Sequence, residues 1–373
     1  MIALERLKQL VAFPSVSRDS NVAVTDHIEK CLAELHFETE RVNYQDRQGV
    51  AKSCVVARKG PSGKGLAYFA HSDVVAVDSW QYPASGPWEA SVSDGKCYGR
   101  GSCDMKGSLA CMLAAVESVT EDLTAPVFVT VTADEEVGYQ GAREVVAQSR
   151  IYQEIVKSGS RAIVGEPTGL QVVHAHKGGC AMEIIARGKA AHSSTGQGVN
   201  ANEVMIPFLS DLLKLHHEME SSEEWRDERF EPPTPTMNIG INDGNGTLNI
   251  TSPQSRCTLY FRPMPGQDTS GVIERITQRA SEPGLQARLI FSGDPLFTDP
   301  QSEFVQELSA ITSSPSRTVA YGTDGAVFSE LREIAVLGPG DIAQAHTDDE
   351  WIALEQLDGG TRLYAELIRR WCC

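Results

Sequence analysis

The sequence predicts an α/β fold in which a mostly parallel sheet is flanked by helices. Three apolar runs typical of buried strands lie at 66–70, 127–131 and 162–164, and segments with helical periodicity separate them. This alternation is the pattern of strands joined by helical crossovers. Each run is closely followed by side chains that could bind a metal ion. Because sites in open α/β sheets form beyond the carboxyl ends of the strands, the fold class itself indicates where a functional site should lie.

The elements of the first half follow from the spacing of apolar residues. Val24, Ile28 and Leu32 recur at helical spacing and would share one buried face. The segment 79–96, rich in Pro, Gly and Trp, is predicted to be an ordered surface loop near a site. The predicted helices are 2–12, 22–36, one from Asp104 through Val116, and 140–157; a further strand is predicted at 55–57.

The middle of the chain has a different pattern of predicted elements, which indicates a second domain. It contains predicted strands at 182–186, 236–241 and 257–262 and predicted helices at 200–219 and 269–281. Strand-rich content with turn signals such as Asn242-Asp243-Gly244 favours an α+β module. We therefore predict a discontinuous α/β domain, residues 1–175 and 292–373, with an α+β domain inserted at 176–291. The α/β pattern resumes with a helix at 302–312, a strand at 334–337 and a helix at 353–370.

The composition excludes several classes of partner. With 50 acidic and 33 basic residues the net charge is −17, which disfavours nucleic acid and anionic membrane surfaces. No apolar run approaches the roughly 18 residues needed to span a bilayer, and the first residues lack the apolar segment of a signal peptide. The nine cysteines are irregularly spaced and include no CxxC pair. A cytoplasmic protein with reduced thiols is expected.

Five residues are candidate metal ligands: His71, Asp104, Glu136, Glu166 and His346. Imidazole and carboxylate ligands without thiolate suit zinc, cobalt or manganese in a catalytic site. A carboxylate such as Asp104 could bridge two ions, which would lower the pKa of a shared water to about 7. Glu135 would then be free to act as a general base. Asp73 could hold the other imidazole nitrogen of His71.

Each of these signals also has a simple structural explanation. Glu135 and Glu136 could cap the next helix in solvent, and Asp104 could be a helix N-cap. Glu166 could lie in a surface turn, and His346 in a solvated loop. Their common position behind predicted strands favours the metal site over these separate explanations.

Five motifs resemble the M20 family of dinuclear zinc peptidases and deacylases, which includes the acetylornithine deacetylases. The motifs are AYFAHSDVV, GRGSCDMKGSLA, TADEEVG, VGEPT and a distant AHTDDEW, and the resemblance covers essentially the whole chain. It implies two zinc ions per subunit, with cobalt or manganese as possible substitutes. His71 and Glu166 would bind one ion, Glu136 and His346 would bind the other, and Asp104 would bridge them.

The same resemblance implies roles for residues beside the ligands. Glu135 would be the general base, Asp73 the orienting carboxylate, and the peptide bond between Asp104 and Met105 would be cis. The α/β domain would be a zinc-peptidase-like catalytic domain, and the inserted domain would be a lid that forms a homodimer.

Within that lid, His192 would reach the site of the partner subunit and stabilise an oxyanion. Asn249 and Arg262 would hold the substrate, and a planar guanidinium suits a carboxylate. Gly322 and Thr323 would lie near the substrate carboxylate. The predicted partners are therefore a small N-acyl amino acid and a second copy of the chain.

The implied reaction is hydrolysis of the amide bond of an N-acyl amino acid. The segments VAFPSVSRDSN and GPGDIAQAHTDDEW are most similar to the acetylornithine deacetylases, which favours conversion of N-acetylornithine to ornithine and acetate in arginine biosynthesis. The segment GTDGAVF also resembles the succinyl-diaminopimelate desuccinylases, so that activity, an aminoacylase and a dipeptidase are alternatives. A non-catalytic binding protein on the same fold is a further alternative. A missing ligand or base would favour it, but the five ligands and Glu135 are all present.

Overall fold

A computed structural model describes residues 2–373, and the described part of the chain contains nine α-helices and sixteen strands. The helices are α1 Ile2–Val11, α2 Val22–Glu34, α3 Lys106–Ser118, α4 Gln140–Gln148, α5 Arg150–Ser158, α6 Ala201–Ser221, α7 Thr269–Arg279, α8 Glu303–Thr312 and α9 Leu354–Cys372. The first eight strands are β1 Glu38–Gln45, β2 Ala51–Lys59, β3 Leu66–His71, β4 Ser91–Ser93, β5 Lys96–Tyr98, β6 Val127–Thr132, β7 Arg161–Val164 and β8 Val173–His176. The others are β9 Gly179–Arg187, β10 Thr236–Asn242, β11 Gln254–Arg262, β12 Leu285–Gly293, β13 Leu296–Phe297, β14 Arg317–Val319, β15 Ile334–Val336 and β16 Trp351–Ala353.

The largest sheet has nine strands and a parallel centre. Its order is β1-β2-β6-β3-β7-β15-β8-β13, with β14 paired to β8. Strand β3 pairs in parallel with both β6 and β7, and β15 pairs in parallel with β7. All residues of β3 and β6 are buried, which explains why both strands are continuous apolar runs without alternation. The predicted α/β class is confirmed.

Helix α3 is the central helix of the core on this sheet. All of its residues from Lys106 to Val116 are buried, so this part of the helix is enclosed by protein on every side. It packs against α1 and α9, and Leu7, Met112 and Leu367 belong to one hydrophobic cluster. Among residues 2–373, no helix combines the length and apolar character that crossing a bilayer requires.

Two helix predictions differ from the structure. The segment 140–157 forms two helices, because Ser149 is extended (φ −79°, ψ 124°) and its Oγ accepts the N–H of Tyr152 as the N-cap of α5. The apolar spacing continues across this break, so periodicity alone does not show it. Helix α3 begins at Lys106 and its N-cap is Met105. The N-cap explanation of Asp104 is therefore wrong.

Strand β1 was not predicted from the sequence. It pairs antiparallel with β2 at the edge of the sheet. Among its eight residues, ETERVNYQ, Val42 is buried and the others are at least partly exposed. An edge strand of this kind lacks the apolar run that identifies a buried strand.

The chain divides into two compact units. The first contains the chain up to Ala175, with Phe297–Arg317 and Thr323–Cys373; the second contains His176–Leu296 and Thr318–Gly322. The second unit has a four-stranded antiparallel sheet in the order β10-β11-β9-β12. Residues of α6 and α7, such as Phe208 and Ile276, form one core cluster with alternate residues of β9 and β11. The unit is therefore an α+β module.

Candidate metal centre

The carboxyl ends of three neighbouring parallel strands carry candidate ligands. His71 is the last residue of β3, and Glu166 follows β7 after one glycine. The loop after β6 carries Glu135 and Glu136. Because β3 lies between β6 and β7 in the sheet, these three strand ends meet at one edge. His71, Glu135 and Glu166 are all buried there.

Two groups of potential ligands share Asp104. In the first group, Nε2 of His71 lies 3.1 Å from Oδ1 of Asp104 and 3.5 Å from Oε1 of Glu166. In the second group, Nε2 of His346 lies 3.3 Å from Oδ2 of Asp104 and 3.1 Å from Oε2 of Glu136. The ligand atoms of each group lie within 4.8 Å of one another. One carboxylate with an oxygen in each group is the arrangement of a bridging ligand in a two-metal site.

The charges of these groups fit a bound cation. Burial raises the pKa of Glu166 well above its usual range. Hydrogen bonds to Asp104 and Glu136 raise the pKa of His346 to about 10. Burial lowers the pKa of His71, but Asp104 and Glu166 outweigh burial and hold it well above the usual value. Buried carboxylates are costly without a positive partner. A donor set of two imidazoles and three carboxylates suits a divalent transition metal.

The loops that carry these residues have uncommon backbone conformations. His346 and Asp134 are non-glycine residues in the left-handed region, with φ values of +63° and +58°. Residues in such conformations cluster at active sites, where the surrounding structure holds them. The peptide bond between Asp104 and Met105 is cis, as the resemblance implies.

Comparison with known proteins identifies the family of this chain. The model for peptidase family M20/M25/M40 matches residues 67–370. The chain belongs to this family. It is 35% identical to the acetylornithine deacetylase of Myxococcus xanthus, over 98% of this chain and 96% of the relative. It is 31% identical to the acetylornithine deacetylase of Proteus mirabilis, over 99% of this chain and 96% of the relative.

Two solved structures of the M20 family share the fold. The metallo-carboxypeptidase from Sulfolobus solfataricus matches with a TM-score of 0.79 at 19% identity, covering 98% of both chains. A dinuclear metal-binding peptidase from Bacillus subtilis matches with a TM-score of 0.61 at 16% identity, covering 98% of this chain and 96% of the other. The predicted resemblance is confirmed, and this M20 chain is a metal-dependent amidohydrolase.

Glu135 adjoins both ligand groups of the M20 site. Within residues 2–373 it belongs to neither group. Burial raises the pKa of Glu135 well above its usual range, and the charges of His71 and Glu166 also act on it. The site therefore holds a buried carboxyl group beside the potential ligands that belongs to neither group, and its raised pKa favours the protonated form.

Asp73 contacts the site in a different way from the one expected. Nδ1 of His71 donates to the main-chain carbonyl of Asp73 at 2.9 Å, whereas Oδ1 of Asp73 is 3.7 Å away. The carboxylate instead accepts the N–H groups of Glu135 at 3.2 Å and Glu136 at 3.4 Å, and the hydroxyl of Ser17 at 2.7 Å. A proton on Nδ1 leaves Nε2 of His71 as the nitrogen that could bind a metal ion. The Asp73 carboxylate positions the Glu135–Glu136 main chain.

The remaining predicted site residues lie mostly in the second unit. His192 and Asn249 are brought together there, because the N–H of Ser193 donates to the carbonyl of Asn249 at 2.9 Å. Arg262 ends β11, and its guanidinium lies 4.8 Å from the ring centroid of Tyr260. Gly322 is the last residue of the second unit. In the first unit, the buried Thr323 accepts the N–H of Gly325 through Oγ1 at 3.1 Å.

Asp324 was missed by the sequence analysis. It is buried and accepts the hydroxyl of Thr132, the last residue of β6, at 2.8 Å. Burial raises the pKa of Asp324 to about 6, and its charge in turn raises the pKa of Glu135 and Glu166. A carboxylate inside the otherwise uncharged segment GTDGAVF was the signal that could have identified it.

A buried ion pair supports the loop that carries Glu135. Nζ of Lys52 lies 2.8 Å from Oδ1 of Asp134, and both side chains are at most 3% exposed. The hydroxyl of Tyr44 donates to Oδ2 of Asp134 at 2.7 Å. Lys52 also donates to the main-chain carbonyls of residues 17 and 19. These contacts hold the left-handed conformation of the residue immediately before Glu135.

We expect Asp134→Asn to lower the free energy of unfolding by about 3–5 kcal/mol, because Lys52 would be left as a buried charge without its carboxylate. Urea unfolding followed by circular dichroism measures this change. Asp46→Asn is the matched control, since Asp46 is partly exposed and its Oδ2 lies 4.0 Å from Nζ of Lys52. Equal destabilisation by the two substitutions would contradict the special role of the Asp134 pair.

Proposed function

We propose that this M20 amidohydrolase removes the acetyl group from the α-amino group of N-acetylornithine, giving ornithine and acetate, a step of arginine biosynthesis. The observation that carries the proposal is the similarity to relatives named acetylornithine deacetylase, at 35% and 31% identity over nearly the whole of both chains. A cytoplasmic location accords with the irregularly spaced cysteines of the sequence.

The proposed cofactors are two zinc ions per subunit, for which cobalt or manganese could substitute. His71 and Glu166 would bind one ion, Glu136 and His346 the other, and Asp104 would bridge them. The distances within the two ligand groups support this assignment. When bound, the ions lower the pKa of a shared water and polarise the acyl carbonyl of the substrate.

Glu135 would act as the general base and then as the general acid. Its carboxylate takes a proton from the attacking water as the new carbon–oxygen bond forms. It passes that proton to the nitrogen as the carbon–nitrogen bond breaks, so that the free amine and the carboxylate product leave. The contacts of Asp73 with the N–H groups of Glu135 and Glu136 would fix the position of Glu135 relative to the proposed ligand Glu136.

The second unit would serve as a dimerisation lid. Ile206 and Leu213, seven residues apart on one face of α6, are 60% and 47% exposed. Strand β10 lies at the edge of the sheet, where its outer hydrogen-bonding groups could meet another chain. Both features support a homodimer.

The lid would also contribute to substrate binding, as the resemblance implies. His192 would reach the site of the partner subunit and stabilise the oxyanion of the tetrahedral intermediate. Asn249 and Arg262 would hold the substrate. Gly322 and Thr323 would lie near the substrate carboxylate.

We expect His192→Ala to lower kcat by about 10²–10³-fold, the usual effect of losing one oxyanion donor, while the dimer persists. Steady-state kinetics and size-exclusion chromatography with light scattering measure the two properties. His36→Asn, at an exposed histidine outside the lid whose left-handed backbone (φ +65°) asparagine can adopt, is the control and should behave as the unmodified protein. Unmodified rates in the His192→Ala protein would remove His192 from the mechanism.

The substrate is tested on metal-stripped protein, with and without added zinc. Amine release is measured from N-acetylornithine and from N-succinyl-diaminopimelate. Zinc-dependent turnover of the acetyl substrate alone supports the proposal. Turnover of the succinyl substrate instead would keep the mechanism and change the acyl group, an alternative favoured by the segment GTDGAVF.

Two other outcomes would count against the proposal. If protein with two bound zinc ions turns over neither substrate, the substrate is a different acyl amino acid or a dipeptide. Failure to bind zinc would overturn the metal assignment and favour a non-catalytic binding protein.

A further inference from the structure

The loop that carries Asp104 closes around a buried carboxylate that the proposed reaction does not use. This carboxylate belongs to Glu350, which is 1% exposed. Its Oε1 accepts the N–H of Cys103 at 2.8 Å and of Asp104 at 3.0 Å. Its Oε2 accepts the N–H of Gly101 at 2.9 Å and Nη1 of Arg100 at 2.8 Å. Four donors from one loop therefore converge on a single side chain.

Glu350 joins two segments that each carry a potential ligand. It lies four residues after His346, and its side chain holds the loop of Asp104. The main chain adds to the connection, because the N–H of Gly99 donates to the carbonyl of Glu350 at 3.0 Å. Strand β16, which starts at Trp351, then pairs with β5 just before that loop. The carboxylate thus stands where the two ligand-bearing segments meet.

The contacts of Glu350 leave it no capacity to bind a metal or substrate. An ionised carboxylate has about four acceptor positions, and four donors of the protein occupy them here. Within the described chain, Glu350 belongs to neither group of potential ligands. Its effect on chemistry must therefore act through the residues that it holds.

We propose that Glu350 is a positioning residue for metal binding, which fixes the main chain of 101–104 so that Asp104 presents one oxygen to each ligand group. The inference rests on the proposed two-metal function. Without the carboxylate, three buried N–H groups and Nη1 of Arg100 lose their acceptor, which is costly unless the loop moves. Because metal–ligand distances tolerate only about 0.2 Å, a moved Asp104 weakens both sites together.

The test is Glu350→Gln, which keeps the size of the side chain but replaces one acceptor oxygen with a donor. Zinc affinity is measured by competition with a chromophoric chelator, well below the unfolding temperature. We expect the affinity for both zinc ions to fall about tenfold or more, within the range found for residues that orient metal ligands. Raising the zinc concentration should recover turnover, because Glu135 and all five ligands are retained.

Glu40→Gln is the matched control. The Glu40 carboxylate also accepts main-chain N–H groups, those of Arg150 at 3.1 Å and Ile151 at 2.9 Å, but it holds the start of α5, which carries no candidate ligand. The zinc affinity of the Glu40→Gln protein should equal that of the unmodified protein. If Glu350→Gln gives no folded protein, Glu350→Asp replaces it, because the shorter side chain keeps the charge beside Arg100 but withdraws from the N–H groups.

The outcomes separate this inference from the proposed function. Two zinc ions bound by the unmodified protein and weaker binding of both by the Glu350 variant support the positioning role. Unchanged zinc affinity in a folded Glu350 variant, even with a lower unfolding temperature, overturns that role and leaves the proposed function intact. No zinc binding by the unmodified protein overturns the proposed function itself.

Discussion

Replacing Glu135 by glutamine is expected to lower kcat by about 10²–10⁴-fold, the range for loss of a general acid–base residue, while both proposed metal ions remain bound. Glutamine has the same shape but cannot take a proton from water at neutral pH. Glu135 lies outside both ligand groups in the described chain, so its removal should not release metal. Steady-state kinetics and metal analysis by mass spectrometry measure both properties on the same sample.

Glu135→Asp is the matched variant for this experiment. It keeps a carboxylate, but the shorter side chain withdraws it from the attacking water. We expect a rate between those of the unmodified and the Glu135→Gln proteins. Unchanged turnover in Glu135→Gln would remove the residue from the mechanism, whereas loss of metal would show that it is a ligand.

Asp104→Ala is expected to have the largest effect on metal binding. Asp104 has one oxygen in each ligand group, 3.1 Å from Nε2 of His71 and 3.3 Å from Nε2 of His346. We expect the affinity for both ions to fall by more than about 100-fold, beyond the effect of losing a residue that merely orients a ligand. Turnover should fall to the background rate because no activated water remains.

His346→Ala is the comparison for Asp104→Ala, because it removes a ligand from the second group only. At one fixed zinc concentration, metal analysis should give two ions for the unmodified protein. It should give one for His346→Ala and none for Asp104→Ala. One ion bound with unmodified affinity by the Asp104→Ala protein would show that Asp104 does not bridge.

Several parts of the site could be predicted from the sequence because they depend on local patterns. The strands β3 and β6, and β7 after its first residue Arg161, are buried on both faces and so appear as largely apolar runs. His71, Glu135 and Glu166 lie at the ends of these runs or within a few residues of them, and the carboxyl ends of adjacent parallel strands meet. The position of the site at this edge therefore follows from the fold class, and the structure adds that β3 lies between β6 and β7.

Other parts could not be predicted because they depend on contacts between distant segments. Asp104 could equally have been an N-cap, and its position outside α3 decides against that explanation. The carboxylate of Asp73 contacts the N–H groups of Glu135 and Glu136, more than 60 positions away in the chain. Local spacing placed Asp73 near His71 but could not show which of its oxygens would be bonded.

The sequence by itself determined the fold class, the strands that are followed by potential ligands, and the types of residue available for metal binding. These depend on apolar periodicity and on the chemistry of single side chains, both of which are local properties. Only the tertiary structure decided that Asp104 has an oxygen in each ligand group, and that Glu350 binds the loop of Asp104 across about 250 positions of the chain. Such contacts form because a buried N–H group needs a hydrogen-bond acceptor, and the fold determines which residue supplies it. The spacing of residues in the sequence does not show which residue that is.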